Sequence, residues 1–590
     1  MRPMTSLLLG LLAVPALLFV LGFIGPYLAT DSCVKADLVS RDPASTDLIV
    51  LVHGMLPKQA RWDLLADTLE PKGHVLRLHY NAAEWSNANP HQIAAGIGVQ
   101  IQTALTKTGA SRVVIVAHSM GALLTRRAIL DARGSEWVKR VERVVLLAGV
   151  NRGWDLSGDR PADQDSLNHL SMRLGTWSAH MLGISSLVFS FERGSPFVAN
   201  LRLEWMTWVR ACTPKIEVVQ MLGDIDDVVS REDNEDLRVS AAAQHFVQLL
   251  VRGTGHGDIV DFGADARPGS EQAWLGAYRR DKVIMAATAE FGVVEKFNEA
   301  LPYTTNKEIT ELVFVLHGIR DLGRWSAKFE SAIDRHYPGR RGHLAIVSPR
   351  YGYFGMGPFL FEGVRKRYVR WFMDEYTETL ARYPNVTPAH IRFFGHSNGT
   401  YIAAEALKTY KAMEIERVVF AGSVVAKNFD WASLTTRDLT TGQERPRVQA
   451  VRNYVGTEDW VVALFPRLFE LSVASWLKNP IGSAGFNGFD DAARVDNVRF
   501  VRGAHSAFES RVDEIVEYLL GSGPAQKAKQ EERSWRGELL SVWPSVVVVW
   551  LTLIYLVLGL GTRIVAASPR PAWPALLAYI LLVVMILRTV

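Results

Sequence analysis

The sequence predicts an α/β fold, in which mostly parallel sheets are flanked by helices, and it predicts that this fold occurs twice. Short runs of Val, Ile, Leu and Phe alternate with longer mixed segments. Such alternation is typical of βα units whose parallel strands are buried on both faces. The same motifs also recur in the same order later in the chain. The interval between the copies is far longer than a solenoid repeat, so each copy is predicted to be a whole domain.

Length and composition exclude several classes of protein. The 590 residues are too many for one hydrophobic core, and 48% hydrophobic with 21% charged residues is typical of a folded protein. The net charge of +4 argues against a nucleic-acid-binding protein. The two cysteines, Cys33 and Cys212, are too few for a disulfide framework, and no Cys/His cluster has the spacing of a zinc site. We therefore expect no metal and no other cofactor.

The repeat starts at an apolar strand that ends in His-Gly. Residues 48–55 (LIVLVHGM) match residues 312–319 (LVFVLHGI), and an Arg-Trp pair follows each copy. A strand that ends in His-Ser comes next, and a further strand begins with Glu-Arg. The Arg-Trp pairs lie at 61–62 and 324–325. The strands with His-Ser lie at 112–121 and 392–399, and the strands that begin with Glu-Arg lie at 142–146 and 416–420. A single chance motif does not preserve the order of several others, so we infer a duplicated domain.

These patterns divide the chain into five parts. Uncharged apolar runs mark both ends, and the two copies of the repeat occupy the middle. A mixed polar stretch before the last apolar runs is predicted to be a tether. In chain order, the predicted parts are a membrane or signal segment at 1–30, a first domain at 40–300 with a cap at about 153–214, a second domain at 308–522, the tether at 523–538 and a transmembrane hairpin at 539–590.

Three uncharged segments predict an integral membrane protein. The first, with its apolar core at 7–24, is interpreted as a retained transmembrane anchor, and a cleaved signal peptide is the alternative. The runs at 539–562 and 571–587 are long enough to form two C-terminal transmembrane helices. The Lys and Arg residues that flank the three runs favour a cytoplasmic position for the domains. A cleaved signal peptide would reverse that orientation. The expected location is a bacterial inner membrane or an equivalent membrane.

A serine stands at a strand-to-helix turn in the first copy. Ser119, in the pentapeptide AHSMG, follows the apolar strand 113–116 and precedes a helix-like segment. Small residues two positions before and after the serine permit a strained turn that exposes its hydroxyl. A nucleophilic serine also needs donors for the developing oxyanion. The N–H of Met120 is one candidate, and the N–H of Met55, after the turn at 53–54, is the other.

The base and the acid of the first copy are predicted from later strands. Asp226 follows the strand 216–222, where a carboxylate that orients a base is expected, and Asp224 and Asp227 are its rivals. His256 lies in a glycine-rich loop after the strand 247–251, so it is free to reach the serine.

The second copy contains the same types of residue in the same order. Ser397 stands in GHSNG after the strand 391–394. Asp459 lies three residues after a glycine, as Asp226 does in the first copy. His505 follows the segment VRGA, which matches the segment VRGTG before the candidate base of the first copy.

The order serine, acid, histidine, preceded by a His-Gly loop, resembles the α/β-hydrolase superfamily over about residues 45–300 and again over 308–520. One departure is Ala117, where the usual pattern has glycine, and some bacterial lipases share it. The resemblance implies two tandem α/β-hydrolase domains with two catalytic triads, which are Ser119, Asp226 and His256, and Ser397, Asp459 and His505. It also implies oxyanion N–H groups in each domain, which are those of Met55 and Met120, and of Ile319 and Asn398.

These observations predict a membrane-anchored serine hydrolase that cleaves carboxylic esters through an acyl-serine intermediate. A lipid is the favoured substrate, because the domains are expected at a membrane and the cap carries many apolar residues. Those residues either line an acyl-chain site or form the core of the cap. A thioesterase or an amidase uses the same triad. A membrane receptor or scaffold with one or both hydrolase domains inactive and a membrane-bound effector are further alternatives, and the sequence does not identify any protein partner.

Overall fold

The computed structural model divides the chain into two compact units, Met1–Thr304 and Thr305–Val590. The structure describes residues 30–40, 43–55, 57–83, 86–155, 186–212, 215–226, 228–243, 245–300, 303–319, 325–351, 359, 362–437, 443–464, 466–470, 481–521, 528–567 and 573–589.

The first unit contains one sheet of seven strands: β1 Lys35–Val39, β2 Asp47–Val52, β3 His74–His79, β4 Arg112–His118, β5 Val141–Leu147, β6 Glu217–Gly223 and β7 His245–Val251. Their order is β1-β3-β2-β4-β5-β6-β7, and every neighbouring pair is parallel except β1 with β3. The strands β2, β4 and β5 are almost wholly buried. Burial on both faces explains why these strands are continuous apolar runs in the sequence.

Helices connect the strands of the first unit. Several begin at a side chain that accepts a main-chain N–H, among them Asn89, Ser195 and Ser270. The α-helices are Gln59–Leu69, Pro90–Thr108, Gly121–Asp131, Glu136–Lys139, Ser186–Ser190, Pro196–Ala211, Arg231–Glu235, Leu237–Ser240, Glu271–Thr288 and Phe291–Glu295. The helices Gln59–Leu69 and Glu271–Thr288 pack on one face of the sheet and share a hydrophobic core with it.

The second unit contains a six-stranded sheet in which every neighbouring pair is parallel. Its strands are β8 Glu311–Leu316, β9 Leu344–Val347, β10 Ile391–His396, β11 Ile415–Ala421, β14 Val448–Gly456 and β15 Val495–Val501, and a separate antiparallel pair consists of β12 Thr435–Arg437 and β13 Glu444–Pro446. The order is β15-β14-β11-β10-β8-β9. In both units the strand that is followed by the serine lies beside the strand that is followed by His-Gly. These neighbours are β4 and β2 in the first unit, and β10 and β8 in the second. The predicted α/β class, with mostly parallel sheets, is confirmed.

The α-helices of the second unit cover this sheet and continue into the C-terminal apolar region. They are Ser326–His336, Glu362–Arg382, Asn398–Thr409, Trp460–Leu464, Ala484–Asn487, Val512–Leu520, Trp535–Ser541, Trp543–Ala567 and Trp573–Thr589. The helices Ser326–His336 and Val512–Leu520 pack together and contribute to the core of this unit.

One helix among the described residues is long and apolar enough to cross a membrane. Its span is Val547–Ile564, with a mean hydropathy of 2.0, and only 6% of that span is buried. The predicted second C-terminal span forms the helix Trp573–Thr589. Among its described side chains, the apolar stretch is Pro574–Val583. The predicted N-terminal membrane segment lies outside the described residues.

The described part of the predicted cap is a packed core. The helix Pro196–Ala211 lies against the helix Gly121–Asp131, which follows the serine. Its residues Leu201, Trp205 and Met206 are almost completely buried, with at most 3% exposed. These apolar side chains are therefore used for packing, and residues 156–185 of the cap lie outside the described residues.

Candidate active sites

Both candidate nucleophiles stand at strained turns between a strand and a helix. Ser119 follows β4 and has a φ of 54°, and Ser397 follows β10 and has a φ of 52°. Positive φ is unfavourable for a residue with a side chain, so the surrounding structure must hold these turns. A serine at such a turn projects its hydroxyl above the carboxyl end of the sheet.

Glycines next to each turn allow the close approach that the turn requires. A Cβ atom on Gly121 would lie 2.6 Å from the carbonyl oxygen of His53. A Cβ atom on Gly54 would lie 2.7 Å from the Cβ atom of Ser119, and one on Gly318 would lie 2.7 Å from the Cβ atom of Ser397. The His-Gly loop therefore rests directly on the serine in both units.

The structure brings the three predicted triad residues of the first unit into one hydrogen-bonded line. Nε2 of His256 lies 3.0 Å from Oγ of Ser119, and Nδ1 of His256 lies 3.0 Å from Oδ2 of Asp226. The serine is 8% exposed, and the side chains of His256 and Asp226 are 13% and 2% exposed. The site thus combines a nearly buried acid with a base that still reaches solvent.

The loop after β6 holds Asp226 in place. The main-chain N–H groups of Val228 and Val229 donate to Oδ1 of Asp226, at 3.0 and 2.8 Å, while its other oxygen contacts the histidine. The rival Asp224 instead accepts from the N–H of Thr254. The second rival, Asp227, lies outside the described residues.

The predicted oxyanion donors of the first unit flank the serine. Met120 directly follows Ser119 and caps the helix Gly121–Asp131, and Met55 follows Gly54, which rests on the serine. No described residue accepts a hydrogen bond from the main-chain N–H of Met55 or Met120. Both groups are therefore free to bind an oxyanion.

The second unit contains the corresponding acid and histidine in contact. Nδ1 of His505 lies 2.9 Å from Oδ2 of Asp459, and the N–H of Val462 donates to Oδ1 of the same carboxylate at 3.1 Å. Burial disfavours the charged imidazole, but the charge and the hydrogen bond of Asp459 outweigh burial, so the pKa of His505 is raised.

The second site differs from the first at the serine. Within the described residues, Oγ of Ser397 makes no hydrogen bond to His505. The ring of His505 instead lies against the end of β11. A Cβ atom on Gly422, the residue that follows β11, would be only 2.9 Å from Nδ1 of His505. At the corresponding position after β5 the first unit has Ala148. The predicted donors Ile319 and Asn398 adjoin this site in the chain, as Met55 and Met120 do in the first.

A tyrosine supports each His-Gly loop, a role that the sequence did not predict for either residue. The hydroxyl of Tyr80 donates to the carbonyl oxygen of His53, and the two rings stack at 4.1 Å. In the second unit the hydroxyl of Tyr351 donates to the carbonyl oxygen of His317 at 2.8 Å, and these rings stack at 4.2 Å. Each tyrosine comes soon after the strand next to the His-Gly strand, and this shared position was the available signal.

The loop that carries Asp459 is also held by C-terminal helices. Nε1 of Trp550, in the helix Trp543–Ala567, donates to the carbonyl oxygen of Leu464 at 2.8 Å. A Cβ atom on Gly537, in the helix Trp535–Ser541, would overlap the carbonyl oxygen of Thr457. The residues around Asp459 are thus contacted on one side by the apolar helix and on the other by the helix that precedes it.

The described residues contain no group of three or more His, Cys, Asp or Glu residues that would hold a metal ion. The two cysteines are free thiols, with Cys33 exposed and Cys212 partly buried.

Comparisons with known proteins give distant structural similarities. No family model and no curated protein sequence matches the chain. The esterase RhEst1 from Rhodococcus is 16% identical, with 38% of this chain and 89% of that chain covered and a TM-score of 0.26. The lipase BlEst2 from Bacillus licheniformis is 16% identical, with 39% and 94% covered and a TM-score of 0.28. A monoacylglycerol lipase from Paleococcus ferrophilus is 13% identical, with 42% and 99% covered and a TM-score of 0.27.

The strongest evidence for the fold lies in the chain itself. A parallel sheet carries a serine at a strained strand-to-helix turn, and the acid and the histidine follow later strands. A serine at such a turn above a mostly parallel sheet, followed by an acid and a histidine after later strands, is the arrangement of the α/β-hydrolase nucleophile site. The chain has an α/β-hydrolase fold.

Proposed function

We propose that this protein is a serine hydrolase that cleaves carboxylic esters, with Ser119 as the nucleophile. One observation carries the proposal, namely the hydrogen-bonded line from Ser119 through His256 to Asp226. The free N–H groups of Met55 and Met120 beside the serine support it.

The mechanism follows from these contacts. Nε2 of His256 accepts the proton of Ser119 while Oγ attacks the ester carbonyl, and the N–H groups of Met55 and Met120 stabilise the oxyanion. Asp226 stabilises the imidazolium through Nδ1. The imidazolium then donates its proton to the leaving alkoxide, and the acyl-serine forms. Water, activated by the same histidine, attacks the acyl-serine and releases the acid.

For the second unit we propose a related site with Ser397, Asp459 and His505, and with oxyanion N–H groups from Ile319 and Asn398. Its acid and base are already paired. Oγ of Ser397 makes no hydrogen bond to His505, so the ring of His505 must move toward Ser397 before the site reacts. We therefore expect the first site to be the more reactive one.

We further propose that the protein is anchored in a membrane by the helix Trp543–Ala567, with the two units on the cytoplasmic side. The exposed apolar span Val547–Ile564 supports the anchor, and the flanking Lys and Arg residues support the orientation. An enzyme held at a bilayer is close to lipid esters, and these are the proposed substrates. Labelling of Cys212 in intact cells by a membrane-impermeant maleimide would contradict the cytoplasmic orientation.

Labelling with a fluorophosphonate tests the nucleophiles. The variants are Ser119→Ala, Ser397→Ala and the double variant, with Ser331→Ala, an exposed serine outside both sites, as the matched control. We expect most labelling to be lost in Ser119→Ala and all of it in the double variant. Labelling that persists in the double variant would refute both assignments. Hydrolysis of matched lipid ester, acyl thioester and acyl amide substrates would then decide between an esterase, a thioesterase and an amidase.

A further inference from the structure

The residue before each serine is a buried histidine that contacts the histidine of the triad. In the first unit, Nε2 of His118 lies 3.0 Å from the carbonyl oxygen of His256, and the two rings are 4.9 Å apart. In the second unit, Nε2 of His396 lies 3.1 Å from the carbonyl oxygen of His505, and these rings are 4.8 Å apart. The same contact to a main-chain carbonyl therefore occurs twice in one chain.

These two histidines are hydrogen-bond donors and not additional bases. A carbonyl oxygen only accepts, so Nε2 of each ring carries a proton. Burial lowers the pKa of His118 to about 3, and it lowers the pKa of His396 well below its usual value. Both rings are therefore neutral at the pH values at which an enzyme works, and each donates one fixed hydrogen bond.

The tryptophan of the repeated Arg-Trp pair packs beside this histidine in each unit. The ring of Trp62 lies 6.3 Å from that of His118, and the ring of Trp325 lies 6.2 Å from that of His396, both edge-on. Both tryptophans are 6% exposed. Each tryptophan thus packs beside the ring of the donor in the interior of its unit.

In the first unit the arginine of the same pair holds the next carbonyl of the histidine loop. Nη1 of Arg61 donates to the carbonyl oxygen of Gly257, the residue after His256. The guanidinium also pairs with Asp261, and it lies 3.5 Å from Asp258. Two side chains from distant parts of the sequence therefore fix two successive carbonyls of one loop.

We propose that His118 and Arg61 are positioning residues, which hold the histidine loop so that Nε2 of His256 stays on Oγ of Ser119. This inference rests on the proposed function of the first site. The loop needs such support, because it contains glycines at 253, 255 and 257 and thus has much conformational freedom when unfolded. Neither side chain makes a hydrogen bond to the hydroxyl of Ser119, so each acts through the position of the base.

The test measures the rate at which a fluorophosphonate labels Ser119 in the full chain, in a Ser397→Ala background and over a range of pH. The variant His118→Phe keeps a ring but removes the donor, whereas His118→Gln restores an N–H near the position of Nε2. Arg61→Met removes the guanidinium, and Arg77→Met is its matched control. The side chains of Arg61 and Arg77 are 22% and 24% exposed, but Arg77 pairs with Asp63, away from the histidine loop.

Loss of one net hydrogen bond corresponds to about a two- to tenfold change in an equilibrium. We expect His118→Phe and Arg61→Met each to slow labelling about two- to tenfold and to shift the pH midpoint of labelling, whereas the fraction of protein that is finally labelled stays unchanged. His118→Gln should recover most of the rate, and Arg77→Met should label as the background does. Equal slowing in the Phe and Gln variants, or a wild-type rate in Arg61→Met, would overturn the inference.

The inference and the proposed function fail in different ways. If Ser119→Ala in the same background labels fully, the nucleophile is wrong and the proposed function fails. If Ser119→Ala abolishes labelling but His118→Phe and Arg61→Met label at the background rate, the nucleophile stands and only the positioning role is refuted.

Discussion

The glycine two residues after the first serine offers a sharp test of the proposed site. Gly121 begins the helix Gly121–Asp131, and a Cβ atom there would lie 2.6 Å from the carbonyl oxygen of His53 and 2.8 Å from that of Val52. Ordinary van der Waals contact begins at 3.4 Å. The Gly121→Ala variant must therefore separate the helix from the His-Gly loop by about 0.8 Å, because both obstacles are main-chain atoms.

This displacement has a predicted size in two measurements. Overpacking of a core typically costs about 1–3 kcal/mol, which lowers the melting temperature of a domain of this size by roughly 2–12 °C. Misplacement of reacting groups by about 1 Å can cost about 100-fold in rate. We therefore expect Gly121→Ala to melt earlier and to label with a fluorophosphonate about 100-fold more slowly than its Ser397→Ala background.

Gly98 supplies the matched control. It is a buried glycine in the helix Pro90–Thr108, but a Cβ atom there meets only the ring of Trp137, at 3.5 Å or more. Gly98→Ala should leave labelling unchanged and stabilise the unit by up to about 1 kcal/mol. The reasoning is refuted if Gly121→Ala labels at the background rate, or if Gly98→Ala is damaged to the same extent.

Three further predictions follow from the contacts of the two sites. Asp226→Asn should slow labelling of Ser119 by about 10³- to 10⁴-fold, since the imidazole loses its orienting charge, and a loss below tenfold would exclude this role. Because the pKa of His505 is raised in the folded state, its protonation adds stability that is fully present below pH 6.5 and is lost as the pH rises through the folded pKa. The stability lost in Asp459→Asn, measured by thermal unfolding, should therefore be larger at pH 5.5 than at pH 9, and an equal loss at both would contradict this account. Trp550→Phe removes one hydrogen bond to the carbonyl of Leu464 and should lower the free energy of unfolding by about 0.5–1.5 kcal/mol, measured by thermal unfolding. Trp535→Phe changes an exposed position and should leave the free energy of unfolding unchanged. Equal effects of the two variants would refute the contact.

Much of the fold was predictable because parallel strands leave a local trace. The runs at β2, β4 and β5 are apolar throughout, since both faces of the sheet are covered. The serine turns were visible for a similar reason. Only small residues fit around Ser119 and Ser397, so the strained backbone is recorded in the neighbouring glycines and alanine.

Other features were not predictable because they depend on distances between remote residues. The hydrogen bond to His256 distinguishes the acid Asp226 from its rival Asp224, which instead accepts from the N–H of Thr254. The apolar residues of the helix Pro196–Ala211 fitted a lid as well as a core, and only packing on the helix Gly121–Asp131 distinguished the two. An apolar pattern in the sequence indicates that a side chain is buried, but it does not indicate which residue that side chain packs against.

The sequence alone therefore determined the α/β class and the strained serine turns, because each depends on residues near one another in the chain. The tertiary structure alone decided that His256 reaches Ser119 whereas His505 does not reach Ser397. It also decided that Arg61 and His118 hold the loop of His256. Hydrogen bonds require an accuracy of a few tenths of an ångström across more than a hundred residues of chain, and only the packed fold supplies it.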